Sequence, residues 1–267
     1  MRIKMKLKIY QIDAFTDKVF SGNYAAVILL EEWLSKELMQ SIATENNLSE
    51  TAFIKNTFNN TYEIRWFSPL NEIDFCGHAT LASAFVLFEE NDTLDEIEFT
   101  AKAVGSLNVT REEDNYIKMV FPNRKPKKLD NIPKPLLDGL SITPDEVLLS
   151  EQAYFAVYHK EEDVYNVQQN VEKLKKLAPY DVTVTAKSKE YDFVSRYFWP
   201  ANGGDEDPIT GSIHTGLAPY WAEKLNKTDL KAFQASQRGG ILLCTVTPQN
   251  VVIIGKAVKY LEGYIFI

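Results

Sequence analysis

The sequence predicts an α+β protein built from two similar lobes, in each of which β-strands surround a buried helix. Short strands with alternating or continuous apolar residues occur along both halves of the chain. A strand, a proline, a polar loop and a glycine that begins an apolar helix also occur once in each half. This recurrence indicates a duplicated unit, and 267 residues are enough for two modest domains.

The first half is predicted to alternate strands with two helices. One helix is predicted over Leu34–Asn46, because apolar residues recur there at helical spacing and Ser35 stands at the capping position. The other begins at Gly77 and runs to Glu90, and it must be buried because its residues 79–88 are apolar on nearly every face. The strands are predicted at 6–16, 25–30, 51–55, 62–67, 96–110 and 116–121.

A change in composition at the middle of the chain predicts the boundary between the lobes. Pro122–Pro135 contains four prolines and four lysines and has few apolar side chains, which is typical of a linker. We therefore predict an N-terminal lobe over 1–122, completed by the C-terminal strand near 256–267, and a C-terminal lobe over 123–255. The segment 1–10 interleaves lysines with apolar residues, which favours a first strand over a signal peptide.

The second half repeats the pattern of the first. Arg196-Tyr-Phe-Trp-Pro200 lies 131 residues after Arg65-Trp-Phe-Ser-Pro69, close to half the chain length. A second buried helix is predicted from Gly211 to Leu225, with Ser212 as its cap and Pro219 bending its axis. A shorter helix is predicted over 171–177, and strands are predicted at 154–158, 181–186, 193–198, 241–246, 251–259 and 264–267.

Charge and composition disfavour several classes of function. The net charge of −8 and the pI near 5.1 would repel nucleic acid and anionic membrane surfaces. No apolar run approaches the roughly 18 residues that a membrane span needs. Two cysteines and three histidines give neither a disulfide scaffold nor the spacing of a zinc site, so we predict no metal. The sequence favours a cytoplasmic protein.

The two glycine-started helices predict a site for a small anion. The first four N–H groups of a helix have no partner within the helix, and the helix dipole places partial positive charge there. If the two helix starts face each other across a cleft between the lobes, they form a pocket that suits a carboxylate. A single glycine at a helix start would more simply permit a tight turn, but the same arrangement in both halves favours a site.

The sequence resembles the phenazine-biosynthesis PhzF-like family in blocks that recur in order along nearly the whole chain. Each block alone is a weak signal, and their combination is specific. The blocks are Ile9-Tyr-Gln-Ile-Asp-Ala-Phe-Thr16, Phe20-Ser-Gly-Asn-Tyr-Ala-Ala-Val27, Asn47-Leu-Ser-Glu-Thr-Ala-Phe53, Cys76-Gly-His-Ala-Thr80, Asp205-Glu-Asp-Pro-Ile-Thr-Gly-Ser212 and Arg238-Gly-Gly240.

This resemblance implies a diaminopimelate-epimerase-like fold, in which two pseudo-symmetric lobes each curl a mixed, barrel-like sheet around a central helix. It also implies homodimers and cofactor-independent isomerisation by proton transfer on a small carboxylic acid. By the resemblance, Glu50 is the general acid/base and is assisted by His78 and Asp207. Glu50 lies in a short loop before an apolar strand, and partial burial there would raise the pKa of its carboxyl group toward the pH at which it can shuttle a proton. The groups that would hold the substrate carboxylate are Gly77, Gly211 and Ser212.

Two alternatives to a Glu50-based isomerase remain open at this point. Racemases of this fold use one cysteine at each helix start, but here Ser212 stands at the second start, and Cys244 lies in a buried-strand sequence. A one-thiol epimerase or racemase using Cys76, with its thiol pKa lowered by the helix start, is therefore one alternative. The other is a non-catalytic protein that binds a small anion. Neither the residues nor the resemblance identifies the substrate or its pathway.

Overall fold

The computed structural model describes residues 5–267 and divides them into two compact units. Unit 1 comprises the residues up to Val120 together with Ile254–Ile267, and unit 2 comprises Phe121–Ile253. Each unit has a hydrophobic core of its own. Residues 1–4, which begin the segment predicted as the first strand, lie outside the described residues.

Strands form most of the regular structure in both units. The helices are α1 (Lys36–Asn46), α2 (Gly77–Glu90), α3 (Lys134–Gly139), α4 (Glu161–Asn166), α5 (Val171–Leu174) and α6 (His214–Leu225). The strands are β1 (Lys6–Ala14), β2 (Asn23–Leu30), β3 (Glu50–Phe58), β4 (Thr61–Phe67), β5 (Glu72–Ile73), β6 (Glu96–Ala101), β7 (Gly105–Arg111), β8 (Ile117–Pro122), β9 (Lys127–Lys128), β10 (Glu146–Leu149), β11 (Ala153–Tyr158), β12 (Asp181–Lys187), β13 (Phe193–Phe198), β14 (Asp229–Gln234), β15 (Gly240–Val246), β16 (Asn250–Gly255) and β17 (Ala257–Phe266).

The sheet of unit 1 mixes antiparallel and parallel pairs in a regular order. β1 is antiparallel to both β17 and β2. β2 and β3 are parallel, β3 and β4 antiparallel, β4 and β6 parallel, and β6 and β7 antiparallel. A parallel pair needs a crossover connection, and α1 and α2 provide the two that unit 1 requires.

The sheet of unit 2 repeats the same order of pairings. β10 and β11 are antiparallel, β11 and β12 parallel, β12 and β13 antiparallel, β13 and β14 parallel, and β14 and β15 antiparallel. Helices α4 and α5 lie in the first crossover, and α6 lies in the second. The α+β fold class and the duplication predicted from the sequence are therefore confirmed in the strand order of the two units.

A repeated ion pair shows the duplication at the level of side chains. In unit 1 the Nε atom of Arg65 on β4 lies 2.7 Å from Oε1 of Glu72. In unit 2 the Nε atom of Arg196 on β13 lies 2.8 Å from Oε1 of Glu206, and a second nitrogen donates to Oε2 at 2.9 Å. Each pair ties a strand to the segment that leads to a buried helix, α2 or α6.

The helix of the unit 1 core is buried as its composition predicts. In α2 the residues from Gly77 to Ala84 and from Val86 to Phe88 are buried. Helix α1 is amphipathic and begins as predicted, because Ser35 accepts a hydrogen bond from the Leu38 N–H. Within residues 5–267 no helix has both the length and the apolar character needed to cross a membrane.

Several local predictions differ from the structure, among them the strands predicted at 251–259 and 264–267, which are β16 and the single long strand β17. The second glycine-started helix begins at His214 rather than Gly211, because the chain first makes a tight turn in which the N–H of His214 donates to the Gly211 carbonyl. The predicted strand 96–110 is two strands, joined by a turn at Gly105, whose φ of 74° suits glycine. The predicted linker contains β9, which pairs with β10.

Candidate functional site

The first cluster of predicted site residues lies in unit 1, where the start of β3 meets the start of α2. Glu50 is the first residue of β3, and Gly77 and His78 are the first two residues of α2. Oε2 of Glu50 lies 2.8 Å from Nε2 of His78, and the two side chains are 12% and 5% exposed. Sγ of Cys76 lies 3.4 Å from Nδ1 of His78. A carboxyl group, an imidazole and a thiol therefore share one nearly buried site.

The charge state of His78 depends on its neighbours. Burial opposes protonation, but negative charge on Cys76 and Glu50, with hydrogen bonds to both, raises the pKa of His78 well above its usual range. Because burial keeps Cys76 a neutral thiol, we attribute this rise in the pKa of His78 to Glu50. The Glu50 carboxyl group and the His78 imidazole thus face each other in one buried contact.

The Cys76 thiol does not have the acidity that the helix start suggests from sequence. Burial raises the pKa of Cys76 to about 11, and the charge of Glu50 adds to this effect. At pH 7 roughly one thiol in 10,000 would then be ionised. The expectation of a lowered thiol pKa is therefore wrong, because desolvation outweighs the helix dipole at this position.

We expect the Cys76→Ser variant to keep turnover within about three-fold of the wild type, because a buried neutral thiol is a poor proton acceptor. Steady-state rates of the wild type and the variant would measure this. The rate at which iodoacetamide alkylates Cys76 in the wild type would be a second readout. A loss of more than about 100-fold with the fold intact would instead favour the one-thiol alternative.

The start of α2 is also suited to attract an anion. Cys76 is the N-cap residue, and its side chain makes no capping hydrogen bond. The first turn carries no acidic side chain, so no carboxylate of the helix itself offsets the positive end of the dipole. A carboxylate placed near Gly77 would meet backbone N–H groups and partial positive charge.

Asn23 is a member of the first cluster that the sequence reasoning did not single out. It is fully buried at the start of β2, and its Nδ2 lies 3.1 Å from Nδ1 of His78. The amide thereby fixes the orientation of the imidazole ring, whose other nitrogen faces Glu50. The sequence did contain a signal that Asn23 belongs to a site, because it stands at the start of an otherwise apolar strand. A polar group buried in such a strand needs a hydrogen-bond partner.

The second cluster of predicted site residues lies in unit 2, in the turn that leads into α6. Asp207 is fixed by its backbone, whose N–H donates to the Tyr197 carbonyl at 3.0 Å, and by its Oδ2 atom, which accepts from the Thr210 hydroxyl at 2.5 Å. Ser212 Oγ accepts a hydrogen bond from Nε2 of Gln152 at 2.9 Å. The predicted capping role of Ser212 is wrong, because Ile213 is the N-cap residue and Ser212 is engaged by Gln152.

The structure brings the predicted residues together in two sets. Unit 1 places Glu50, Gly77 and His78 at one site, and unit 2 places Asp207, Gly211 and Ser212 in one turn. The idea that both helix starts hold one substrate stays a prediction from the sequence.

The first cluster has the donor types that a metal ion accepts. One ligand atom from each of Glu50, Cys76 and His78 lies within 4.8 Å of the others, and zinc binds oxygen, sulfur and nitrogen donors of these kinds. However, Oε2 of Glu50 and Nε2 of His78 are only 2.8 Å apart. Ligands on a tetrahedral zinc ion are about 3.3 Å apart, so an ion would have to separate this pair.

A groove of about 950 Å³ lies elsewhere in unit 1. Several of its charged side chains are already paired with one another, as Arg65 and Lys36 are with Glu72. It contains none of the predicted site residues, and we do not assign the chemistry to it.

Comparison with known proteins gives consistent matches over nearly the whole chain. A family model described as phenazine biosynthesis-like protein, PhzC-PhzF, matches residues 12–263. An uncharacterized isomerase of Pseudomonas aeruginosa is 46% identical over 259 residues, which are 97% of this chain and 98% of that protein. A second uncharacterized isomerase of the same organism is 44% identical over 98% of this chain and 99% of that protein.

Solved structures agree with these sequence matches. The crystal structure of a PhzF-family phenazine biosynthesis protein from Enterococcus faecalis matches with a TM-score of 0.93 and 42% identity, covering 98% of this chain and 100% of that chain. A hydroxyproline epimerase from Agrobacterium vitis matches with a TM-score of 0.65 at 10% identity, covering 100% of this chain and 94% of that chain. The second match shows a shared fold alone.

Proposed function

The chain belongs to the phenazine biosynthesis-like (PhzC-PhzF) family, and from this premise we propose that it isomerises a small carboxylic acid by moving a proton between carbon atoms. Two curated relatives, which match 97% and 98% of this chain, are named isomerases. The observation that carries the proposed mechanism is the buried pair of Glu50 and His78 beside the start of α2. The proposed reaction uses no cofactor.

In the proposed mechanism Glu50 is the general base and then the general acid. Its carboxylate removes a proton from a carbon of the bound acid and returns it to another carbon, so the net change is a shift of one proton and one double bond. His78 contacts Oε2 and would hold the carboxyl group in place during proton transfer. The N–H groups at the start of α2 stabilise negative charge that develops on the substrate.

We further propose that the residues of the second cluster contribute to the same reaction. Ser212 and the backbone of Gly211 would donate hydrogen bonds to the substrate carboxylate. Asp207 would polarise the substrate or relay a proton. Its Oδ2 is held in position by the hydrogen bond from the Thr210 hydroxyl. The fixed conformation of this turn supports such a role.

Exchange of hydrogen for deuterium tests the proposed function and does not require that the product be identified. Small unsaturated and amino-substituted carboxylic acids would be incubated with the protein in deuterated water and examined by proton NMR. We expect enzyme-dependent incorporation of deuterium on carbon for at least one of these acids. Binding of an acid with no incorporation into any of them would instead favour the non-catalytic anion-binding protein.

We also propose that the chain forms a homodimer, as its family resemblance implies. Tyr260, Tyr264 and Phe266 of β17 are about half exposed, and an exposed aromatic group of this size is typical of an interaction surface. We expect sedimentation analysis to give a dimer mass, and Tyr264→Lys to shift it toward the monomer. A monomeric wild-type protein at micromolar concentration would contradict this proposal. The cytoplasmic location stays a prediction from composition.

A further inference from the structure

Asp181 in unit 2 occupies the position that Glu50 occupies in unit 1. Glu50 begins β3 and is in register with Ala25 in the parallel pair of β2 and β3. Asp181 begins β12 and is in register with Ala153 in the parallel pair of β11 and β12. The two acidic residues are 131 residues apart, the same offset that separates Arg65 from Arg196. The duplication thus places a second carboxyl group at the start of an equivalent strand.

Asp181 is connected to Ser212 by a chain of side-chain hydrogen bonds. The Tyr197 hydroxyl donates to Oδ2 of Asp181 at 2.7 Å. Nε2 of Gln152 donates to the Tyr197 hydroxyl oxygen at 2.9 Å and to Ser212 Oγ at 2.9 Å. Nδ2 of Asn202 donates to the other oxygen of Asp181 at 2.8 Å. All five side chains belong to unit 2.

The carboxyl end of this chain fixes the direction of every hydrogen bond in it. Burial raises the pKa of Asp181, while the hydrogen bonds from Tyr197 and Asn202 favour its ionised form. As a carboxylate Asp181 only accepts, so the hydroxyl hydrogen of Tyr197 is committed to it. The Tyr197 oxygen must then accept from Gln152, which requires the NH₂ end of the amide to face it. The second hydrogen of that NH₂ group points to Ser212. Ser212 therefore accepts from Gln152 and cannot donate to it.

The surroundings of the chain keep this direction stable. Asp181 and Tyr197 are 8% and 3% exposed. Burial and the neighbouring Asp181 raise the pKa of Tyr197 well above its usual range, so the phenol stays protonated and remains a donor. Ser212 itself is half-buried, which leaves it accessible to a ligand.

We propose that Gln152 is a positioning residue, anchored through Tyr197 to Asp181, that fixes the Ser212 hydroxyl as a hydrogen-bond donor to a carboxylate. The inference rests on the proposed function, in which Ser212 binds the substrate carboxylate. It adds a basis for specificity: with its oxygen engaged by Gln152, Ser212 offers its hydrogen outward, which suits an acceptor group and disfavours an amide N–H.

Acetate offers two charged acceptor oxygens, whereas acetamide offers one neutral acceptor and a donor NH₂ group, so a donor at Ser212 favours acetate over acetamide. Dissociation constants would be measured by NMR titration for the wild type and for Gln152→Glu, which keeps the size of the side chain but replaces the donor NH₂ by an acceptor. In that variant the Ser212 hydroxyl would donate to the introduced carboxylate instead of to the ligand. We expect the preference for acetate over acetamide to fall at least ten-fold. Gln168→Glu, which adds the same charge at an exposed site of unit 2, should leave the preference unchanged.

Coupling between variants distinguishes positioning from a general structural role. Tyr197→Phe removes the anchor of Gln152 but adds no charge, and it should weaken acetate binding about three- to ten-fold in the wild-type background. In the Ser212→Ala background it should have no effect on acetate binding. An unchanged preference in Gln152→Glu, or an equal effect of Tyr197→Phe in both backgrounds, would overturn the proposal.

The same measurements separate failure of this inference from failure of the proposed function. If Ser212→Ala binds acetate as the wild type does, the carboxylate contact of Ser212 is wrong, and the positioning role is wrong with it. If deuterium incorporation requires Glu50 while Gln152→Glu keeps its preference for acetate, only the positioning role is wrong. If the wild type binds acetate no better than acetamide, the inference is also wrong.

Discussion

The Glu50→Gln variant is expected to lose turnover and deuterium incorporation by a factor of about 100 to 10,000. Glutamine has the size of glutamate and can still contact His78, but it cannot accept a proton from carbon. The side chain is 12% exposed and lies 2.8 Å from His78, so the substitution changes the chemistry of the site more than its shape. Rates of incorporation on the acid that reacts best with the wild type would measure the loss.

Two further variants serve as controls for this prediction. Glu50→Asp keeps the carboxylate but draws it back from His78, and we expect a smaller loss, about ten- to 100-fold, because proton transfer requires close contact. Glu45→Gln changes an exposed acid on α1 five residues away and should leave the rate within two-fold. Full activity of Glu50→Gln would show that Glu50 is not the proton-transfer group.

The fold could be predicted well from the sequence because its signals are local. Alternating apolar residues indicated the strands, and an apolar helix such as α2 can only be buried. The offset of 131 residues predicted the duplication, and the order of strand pairing confirmed it. The start of α6 was wrong by three residues, because the chain first makes a tight turn from Gly211 to His214. Ser212 does not cap the helix and is instead bound by Gln152, 60 residues earlier, which local capping rules do not include.

The site was predictable only where the family motifs named its residues. Glu50 and His78 lie close together as the motifs implied, but nothing in the local sequence connects Asn23 to His78 or Asp181 to Tyr197. Such partners come from different strands, and their contacts depend on sheet register. The pKa of Cys76 was misjudged for a related reason, since the helix start can be read from sequence whereas full burial cannot.

His214 gives a second strong prediction, which concerns stability. It is the first residue of α6 and is fully buried, with its Nδ1 2.9 Å from the Thr210 carbonyl and its ring beside Phe193. Among the described residues, its Nε2 has no hydrogen-bond partner. Burial therefore lowers the pKa of His214 to about 4 from an ordinary value of 6.5. The folded protein holds this imidazole in the neutral form.

Because the folded pKa of His214 is lower than the unfolded one, acid favours the unfolded chain at this site. Between pH 6.5 and 4 the unfolded state binds a proton that the folded state does not, so the free energy of unfolding falls as the pH falls. At pH 4.5 the loss is about 2 to 3 kcal/mol relative to pH 7.5. His78 has the opposite sign, because its raised pKa adds stability below pH 6.5 that is lost as the pH rises through its folded pKa.

The His214→Phe variant isolates this contribution. Phenylalanine keeps an aromatic ring beside Phe193 but loses the hydrogen bond to the Thr210 carbonyl, so we expect it to be less stable than the wild type by about 1 kcal/mol or more at pH 7.5. As the pH falls to 4.5, the wild type should lose about 2 to 3 kcal/mol more than the variant, and the order of stability should reverse. Urea unfolding at both pH values would measure the two differences. If the wild type and the variant lost the same amount of stability between pH 7.5 and 4.5, His214 would have to be protonated in the folded state. Its Nε2–H would then need a hydrogen-bond acceptor, and the described residues provide none.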